Sequence, residues 1–390
     1  MENPLVSIVI PTKNRYLTLI PVIQSIINSL SGNNYEIVVH DNSDDNTVFS
    51  DYLQNNPSER INYFYTNTKL SVPENFNLAF HKTKGQYVVS IGDDDLVSPF
   101  LIEIVEYIKS KNIDAVIYDK ANFFWPGLKF AKEYAFNYPA SLQHPKNCSF
   151  ELKKFNTQIE LDSVLEKGGS FLFDLPAVYH GIVSRNVLDK IVAKYGNYFP
   201  GSSPDMASSI AITTVIDDYY KINIPASITG ASKTSAAGMG VNNQHVARLN
   251  EVAWLPENIL EIWDEKLPKI WTGQTIYAQS IYEVLSKANI DKNVNYQELY
   301  NELLVYNYSI KDELLEFYAN QKQIEYSSKT LIPRFKLFLK RTLWKMPAFV
   351  LNLVIYFRGD FTIKVNYNNV NSPLECMNKI KGIQQQLFNK

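Results

Sequence analysis

Over its first 120 residues the chain alternates short β-branched runs with amphipathic stretches, and this alternation limits the possible folds more than any other feature. LVSIVIP (5–11) is an apolar run stopped by proline, and residues 16–30 carry Leu19, Ile23, Ile26, Ile27 and Leu30 on one helical face. YEIVVH (35–40) and INYFYT (61–66) read as the second and third strands. Ser71 and Glu74 have capping-box spacing, with Val72, Phe76, Ala79 and Phe80 on the helical face they introduce. Residues 87–91 form a fourth apolar run between Gly85 and Gly92. Ser98-Pro99 then opens a helix bearing Leu101, Ile104, Val105 and Ile108, and DAVIYD (114–119) is the fifth strand. Such alternation predicts an α/β fold with a doubly wound, mostly parallel sheet. The loops after parallel strands emerge at one edge, which is where open α/β sheets bind ligands.

Polar residues gather at that edge. Pro11, Thr12, Asn14 and Arg15 follow the first strand, Asp41 the second, Asn67 the third, and Asp93, Asp94 and Asp95 the fourth. Taken singly each is an ordinary loop residue, and Asp41 alone reads as an Asx turn. The acidic triplet alone reads equally as a solvated turn. Three adjacent carboxylates repel one another unless they are solvated or share a cation, and here they converge with the other polar loops. No G-x-G-x-x-G follows the first strand and no G-x-x-x-x-G-K-[ST] occurs, so a phosphate-bearing ligand would be neutralised by a metal, not by a glycine cradle. Hard carboxylate and phosphate oxygens suit Mg²⁺ or Mn²⁺.

Composition narrows the function classes. At 390 residues the chain exceeds one typical core, so two domains or one elaborated domain are expected. Its formal charge of -2 argues against a nucleic-acid partner, which would favour a basic excess. Cys148 and Cys376 are too few for a disulfide framework and lack metal-ligand spacing, which points to a reducing compartment. No signal-like core opens the chain, and no apolar run reaches the roughly 18 residues of a membrane span.

VSIVIPTKNR, VVHDNSDDNT and TNTKLSVPENFNLAFHKTKGQYVVSIGDDD together resemble the nucleotide-sugar-binding half of inverting family 2 glycosyltransferases of the GT-A fold, bacterial surface-polysaccharide type. The likeness is close over residues 4–120 and looser to about 230. It implies that Pro11, Thr12, Arg15 and Asp41 hold the nucleoside, and that the acidic motif, Asp93 and Asp95 with Asp94 between, holds a divalent metal bridging the donor's phosphates. Asn67, Asn75 and Asp94 join the nucleotide-sugar set. Gly92 departs from the family pattern, which begins the motif with Asp and leaves the two metal-binding acids open. Glu74 stands where an arginine often reaches the phosphates.

The second half should supply base and acceptor site. Asp205, in FPGSSPDMASSIAITTVI, sits in the first turn of a helix, where an acid ordinarily complements the helix dipole. The resemblance makes it the general base, with Pro204 where Glu is frequent; Asp174 and Asp217-Asp218 are the rivals. His180 reads either as an acceptor contact or as a core hydrogen-bonding residue. Phe123, Phe124, Trp125 and Tyr134 suggest an acceptor-facing insertion, with core packing the competing reading. TGASKTSAAGMGVNNQH (229–245) predicts a mobile loop closing on the donor, with Lys233 meeting the diphosphate and His245 completing the metal shell.

The expected organisation is a catalytic domain over 1–240 (nucleotide-sugar half 1–100, acceptor half 101–240), a helical extension over 241–330 and an amphipathic tail over 331–390. In the tail Ile332, Phe335, Leu339, Leu343, Met346 and Val350 form one stripe, opposite Arg334, Arg341 and Lys345. That pattern suits a helix on an anionic membrane, or one packed on protein. The expected protein is a cytoplasmic glycosyltransferase, peripheral on the inner face of the cell membrane. It would move a sugar from a nucleotide-sugar donor, first of all a UDP-sugar, to a hydroxyl of a lipid-linked glycan. A sugar-1-phosphate nucleotidyltransferase would want glycines that TKNR lacks, and a catalytically silent glycan-binding scaffold would not need the acids. Nothing in the sequence sets an oligomeric state.

Overall fold

The computed structural model describes residues 3–129, 138–235, 246–321 and 364–388. Strand–helix units open the chain: β1 (Val6–Thr12), α1 (Tyr16–Ser29), β2 (Tyr35–Asp41), α2 (Thr47–Asn55), β3 (Ile61–Tyr65), α3 (Val72–His81) and β4 (Tyr87–Ser90). Next come β5 (Leu96–Val97), α4 (Leu101–Ser110), β6 (Ala115–Tyr118), β7 (Ala121–Phe124), β8 (Ser141–Pro145) and β9 (Ser149–Asn156). The middle of the chain forms α5 (Thr157–Glu166), β10 (Ile182–Ser184), α6 (Arg185–Tyr195), α7 (Pro204–Thr213), β11 (Asp218–Asn223) and β12 (Ser227–Ala231).

The main sheet has the order β3-β2-β1-β4-β10-β6-β11-β9. β1 pairs in parallel with both β2 and β4, so the strand order reverses there and the crevice for ligands opens at their C-terminal ends. This is the α/β, mostly parallel sheet expected from the alternation. Two strands depart from it: β9 is antiparallel to β11 at one edge, and β10 lies antiparallel between β4 and β6. Its three residues follow the segment carrying His180, and the insertion draws that segment alongside the end of β4, where Ser90 N–H bonds the Val178 carbonyl and His180 N–H bonds the Ser90 carbonyl.

Period-two alternation divides the core. Val9 and Val88 face the helices α5, α6 and α7, while Ile8, Ile10 and Val89 face α1 and α4. Each face buries its own apolar cluster, which is why these strands read as continuous apolar runs. Glu74 turns back on its own helix, accepting the Ser71 backbone N–H at 2.7 Å and hydroxyl at 2.6 Å. The carboxylate at the position where an arginine would reach a phosphate is therefore spent on capping.

A second sheet contains β8, β7, β12 and β5 in that order, and a later strand of the chain joins it beside β8. After β13 (Ala247–Arg248), α8 (Ile259–Ile262), β14 (Ile270–Trp271), α9 (Gly273–Lys287), α10 (Tyr296–Tyr306) and α11 (Lys311–Asn320), the chain returns as β15 (Lys364–Asn368) and α12 (Pro373–Phe388). β15 pairs antiparallel with β8, and α12 packs on α1, burying Cys376, Met377 and Ile380. Gln384 bonds the Ser98 hydroxyl at 2.6 Å, His144 at 3.2 Å and the Pro225 carbonyl at 3.2 Å. Residues 364–388, read with the tail, are thus built into the body of the α/β unit. The stripe of 332–350, with its basic residues, lies outside the described residues, as do Tyr134 and His245.

Candidate active site

The acidic turn after β4 is buried: Asp93 and Asp94 are each 4 % exposed and Asp95 1 %. Such burial is tolerable only if each carboxylate is compensated, and the three are compensated differently.

Asp95 is fully engaged. Its Oδ2 accepts from Gly92 N–H at 2.6 Å and the Tyr179 hydroxyl at 2.9 Å, and its Oδ1 accepts from Gly230 N–H at 2.6 Å. His180 Nε2 lies 3.0 Å from Oδ2. Burial opposes ionisation, yet His180 and the two backbone N–H groups hold Asp95 below the usual carboxylate range. Both oxygens of Asp95, which the sequence reading assigns to a metal, accept hydrogen bonds from within the fold. His180 departs from the acceptor contact expected of it. Bonded on Nδ1 to Ser227 Oγ at 2.5 Å and 6 % exposed, it supports the acidic turn from beneath and does not line the acceptor cleft.

Asp93 and Asp94 share one cation. Arg15 places Nε 3.0 Å from Asp93 and Nη2 3.2 Å from Asp94, and also donates to Ser232 Oγ at 2.8 Å. Thr12 Oγ1 donates to Asp93 at 2.6 Å, and Ser232 N–H to Asp94 at 2.9 Å. Burial pushes Asp93 up to about 7, with Arg15 opposing and Asp94 reinforcing the shift; burial and Asp95 push Asp94 up as well. This pair is underneutralised.

Two glycines make the turn possible. A Cβ on Gly230 would lie 1.8 Å from the Asp94 carbonyl oxygen. One on Gly92, where the family pattern has Asp, would meet Asp95 Oδ2 and the Tyr179 hydroxyl, each at 3.0 Å. Trp125 caps the turn, donating to the Asp94 carbonyl at 2.9 Å. Phe123 and Phe124 are buried in the core, so these aromatics do not form an acceptor-facing surface.

A cleft of about 950 Å³ runs from this turn to Asp205. Pro11, Thr12, Arg15, Asn75, Asp93, Asp94, Asp95 and Asp205 line it. Asn75 donates to the Thr12 carbonyl at 3.2 Å and takes a 2.6 Å bond from His40, which fixes the floor between β1 and β2. Asn14, at φ 57°, ties the loop after β1 to Ser43 and Asp44. Asp41 does not line the cleft; its carboxylate accepts from Tyr16 at 2.6 Å, Tyr63 at 2.9 Å and Ser43 N–H at 2.8 Å. Asn67 and Lys233 are exposed and also outside the lining.

Asp205 opens α7 and faces Tyr277 of α9, whose hydroxyl lies 3.4 Å from Oδ2. Burial raises its pKa, with His180 and Lys120 opposing. The rivals are held elsewhere. Asp174 pairs with Lys221 at 3.0 Å, Asp218 with Lys154 at 2.7 Å, and Asp217 is exposed; none lines the cleft.

Sequence reading missed Tyr277, Trp254 and Trp271, which come from segments with no local signature, and passed over Tyr179 beside His180 and Ser232 beside Lys233. Gly230 carried one signal, a glycine inside a strand where another backbone approaches closely. Among the described residues no three His, Cys, Asp or Glu side chains surround a common point for an ion.

Residues 7–165, from β1 into α5, match the family model described as Glycosyl transferase family 2. No curated protein matches the chain. Among solved structures, S. aureus TarS is similar over 82% of this chain at 14% identity and TM-score 0.41; the chain spans 53% of its length, about half. TarS 1-349 in complex with UDP-GlcNAc is similar at 12% identity and TM-score 0.47, covering 100% of this chain and 92% of that one. Mannosyltransferase PcManGT from Pyrobaculum calidifontis, in complex with GDP-Man and Mn²⁺, gives 11% identity, TM-score 0.43 and coverage of 100% and 89%.

Proposed function

Given that residues 7–165 form a glycosyl transferase family 2 domain, we propose that the chain is an inverting, metal-dependent glycosyltransferase using a nucleotide-sugar donor, a UDP-sugar in the first instance. The observation that carries this reading is the buried Asp93–Asp94 pair lining the same cleft as Asp205.

The pair fits a hard divalent cation. Two carboxylates with pKa values raised by burial, sharing a single arginine, have capacity for more positive charge, and Mg²⁺ or Mn²⁺ commonly binds through one or two carboxylates plus substrate phosphates. Asp93 and Asp94 would hold it, with Asp95 bracing the turn. When bound, the cation supplies charge stabilisation to the departing diphosphate. Arg15 would add a second positive group beside the same phosphates, and Thr12 keeps Asp93 oriented.

Asp205 takes the proton of the acceptor hydroxyl. As that oxygen bonds the anomeric carbon, the bond from carbon to the diphosphate oxygen breaks, its electron pair leaving with the nucleoside diphosphate. A carboxylate whose pKa is raised by burial is better matched to this proton transfer than an exposed one. The Tyr277 hydroxyl orients it.

The test is a panel of nucleotide sugars, UDP-GlcNAc and GDP-Man included, assayed for binding and hydrolysis in Mn²⁺ and in EDTA. Equal donor affinity in both overturns the metal dependence. Asp205→Asn should lower transfer about 10²- to 10⁴-fold with little change in donor affinity. Transfer within a few-fold of the wild type would remove Asp205 as the base, whereas a lower melting temperature with normal turnover would make it a helix-dipole residue. A lipid-linked glycan acceptor and a peripheral position on the inner membrane face are supported by the amphipathic stripe of 332–350. No helix among the described residues is long and apolar enough to cross a membrane.

A further inference from the structure

Besides the residues of the acidic turn, the cleft is lined by large aromatic side chains. Trp254 and Phe171 are both 42 % exposed, and both line it. Trp254 meets Trp271 edge to face, with centroids 5.5 Å apart and planes at 84°. Trp271 ends β14, two residues before the helix whose Tyr277 faces Asp205. The loop bearing Trp254 is fixed by its carbonyl, which accepts Val72 N–H at 2.9 Å. Large aromatic faces left open beside a polar centre, on backbone that is held in place, indicate a surface meant to be covered.

Neutral polar groups line the cleft as well: Ser202, Ser203, Gln274 and Asn307, and the Asn307 amide nitrogen, in a residue 8 % exposed, has no partner among the described residues. The cations in the described lining, Lys13 and Arg15, belong to the loop after β1. Lys120, whose charge acts on Asp205, does not line the cleft. An acceptor carrying phosphate would compete with the donor's diphosphate for those two lining cations. A pyranose ring would not: its C–H face meets the negative face of an aromatic ring, and its hydroxyls meet neutral amides and hydroxyls.

We propose that Trp254, Trp271 and Phe171 form an acceptor subsite for a neutral pyranose, which stacks on the aromatic faces and turns one hydroxyl to Asp205. This rests on the glycosyl-transfer reading above and adds the acceptor class to it. Wild type, Trp254→Ala and Trp254→Phe would be assayed with the donor that the wild type hydrolyses. The acceptors would be octyl β-glucoside and octyl β-galactoside on one side, and a glycerol 3-phosphate oligomer on the other. The exposure of Trp254 favours variants that fold, which melting curves check directly. The neutral glycosides should quench tryptophan fluorescence in the wild type. Trp254→Ala should raise the KM for the neutral acceptor about two- to tenfold relative to that for the donor, and Trp254→Phe should restore most of the loss. Donor hydrolysis without binding of either glycoside, an unchanged acceptor KM in Trp254→Ala, or preference for the glycerol phosphate oligomer overturns the subsite alone. If the wild type neither binds nor hydrolyses any nucleotide sugar, the underlying reading falls and takes the subsite with it.

Discussion

Replacing Gly230 by alanine should disable the acidic turn without altering an acid. The added Cβ would stand 1.8 Å from the Asp94 carbonyl oxygen, 2.5 Å from its carbon and 3.1 Å from the Asp95 nitrogen. A tolerable approach is above about 3 Å, so the backbones must separate by roughly 1 Å or more. Neither side can yield freely. Gly230 is held in β12 opposite Phe123 of β7, and its N–H carries the 2.6 Å bond to Asp95; the Asp94 carbonyl is held by Trp125. Overpacking of this kind costs about 1–3 kcal/mol, which for a chain of this size lowers the melting temperature by about 1–4 °C. The larger effect should be catalytic, because a displacement of about 1 Å in positioned groups costs about 10²-fold in rate. The assay pairs thermal melts with metal-dependent donor turnover. Gly382→Ala is the control: it lies within α12 with nothing within 4 Å of its Cβ, and should gain about 0.5–1 kcal/mol. A Gly230→Ala protein with turnover within about two-fold of wild type and the same melting temperature would refute the close approach as a requirement of the site.

Asp95→Asn should cost about 3 kcal/mol, since it leaves His180 and two inward N–H groups facing an uncharged amide. Because the folded state depresses the Asp95 pKa, its contribution is present above the ordinary carboxylate range and lost as pH falls through the depressed value. The variant's stability should therefore be flatter than the wild type's at acid pH, and parallel pH–melting curves would contradict this. Gln384→Ala should destabilise by about 1–3 kcal/mol in urea titration by orphaning Ser98 and His144, and undiminished hydrogen-exchange protection of α12 would argue otherwise. Deleting residues 331–350 should abolish sedimentation with phosphatidylglycerol vesicles at low salt while donor hydrolysis persists; a full chain that does not sediment removes the membrane role of the stripe.

The sheet was legible because burial on both faces leaves a trace in each strand: Ile8, Val9 and Ile10 are all apolar although they point to opposite cores. The convergence of Thr12, Arg15 and the acidic turn was legible for a related reason, since parallel strands send their loops to one edge. What could not be read was the division of labour among three adjacent acids. It is set by Tyr179, His180, Gly230 and Ser232, between 84 and 138 positions away, and no local period reports such contacts. The tail illustrates the same limit from another side. The polar Gln384 reads as a surface residue, but it is buried because its three partners were placed by other elements.

The bond between Ser98 and Gln384 joins residues 286 positions apart. At about 5–20 residues per second of synthesis, roughly 15–60 s separate their appearance from the ribosome. Through that interval β8 lacks β15 and is an open edge strand, and α1 lacks the helix that covers it. The loops that carry the acids are therefore made early, on a body that closes only when its last helix arrives. A ribosome that stops short releases a chain with an exposed sheet edge and an uncovered apolar face, the features that chaperones and proteases recognise.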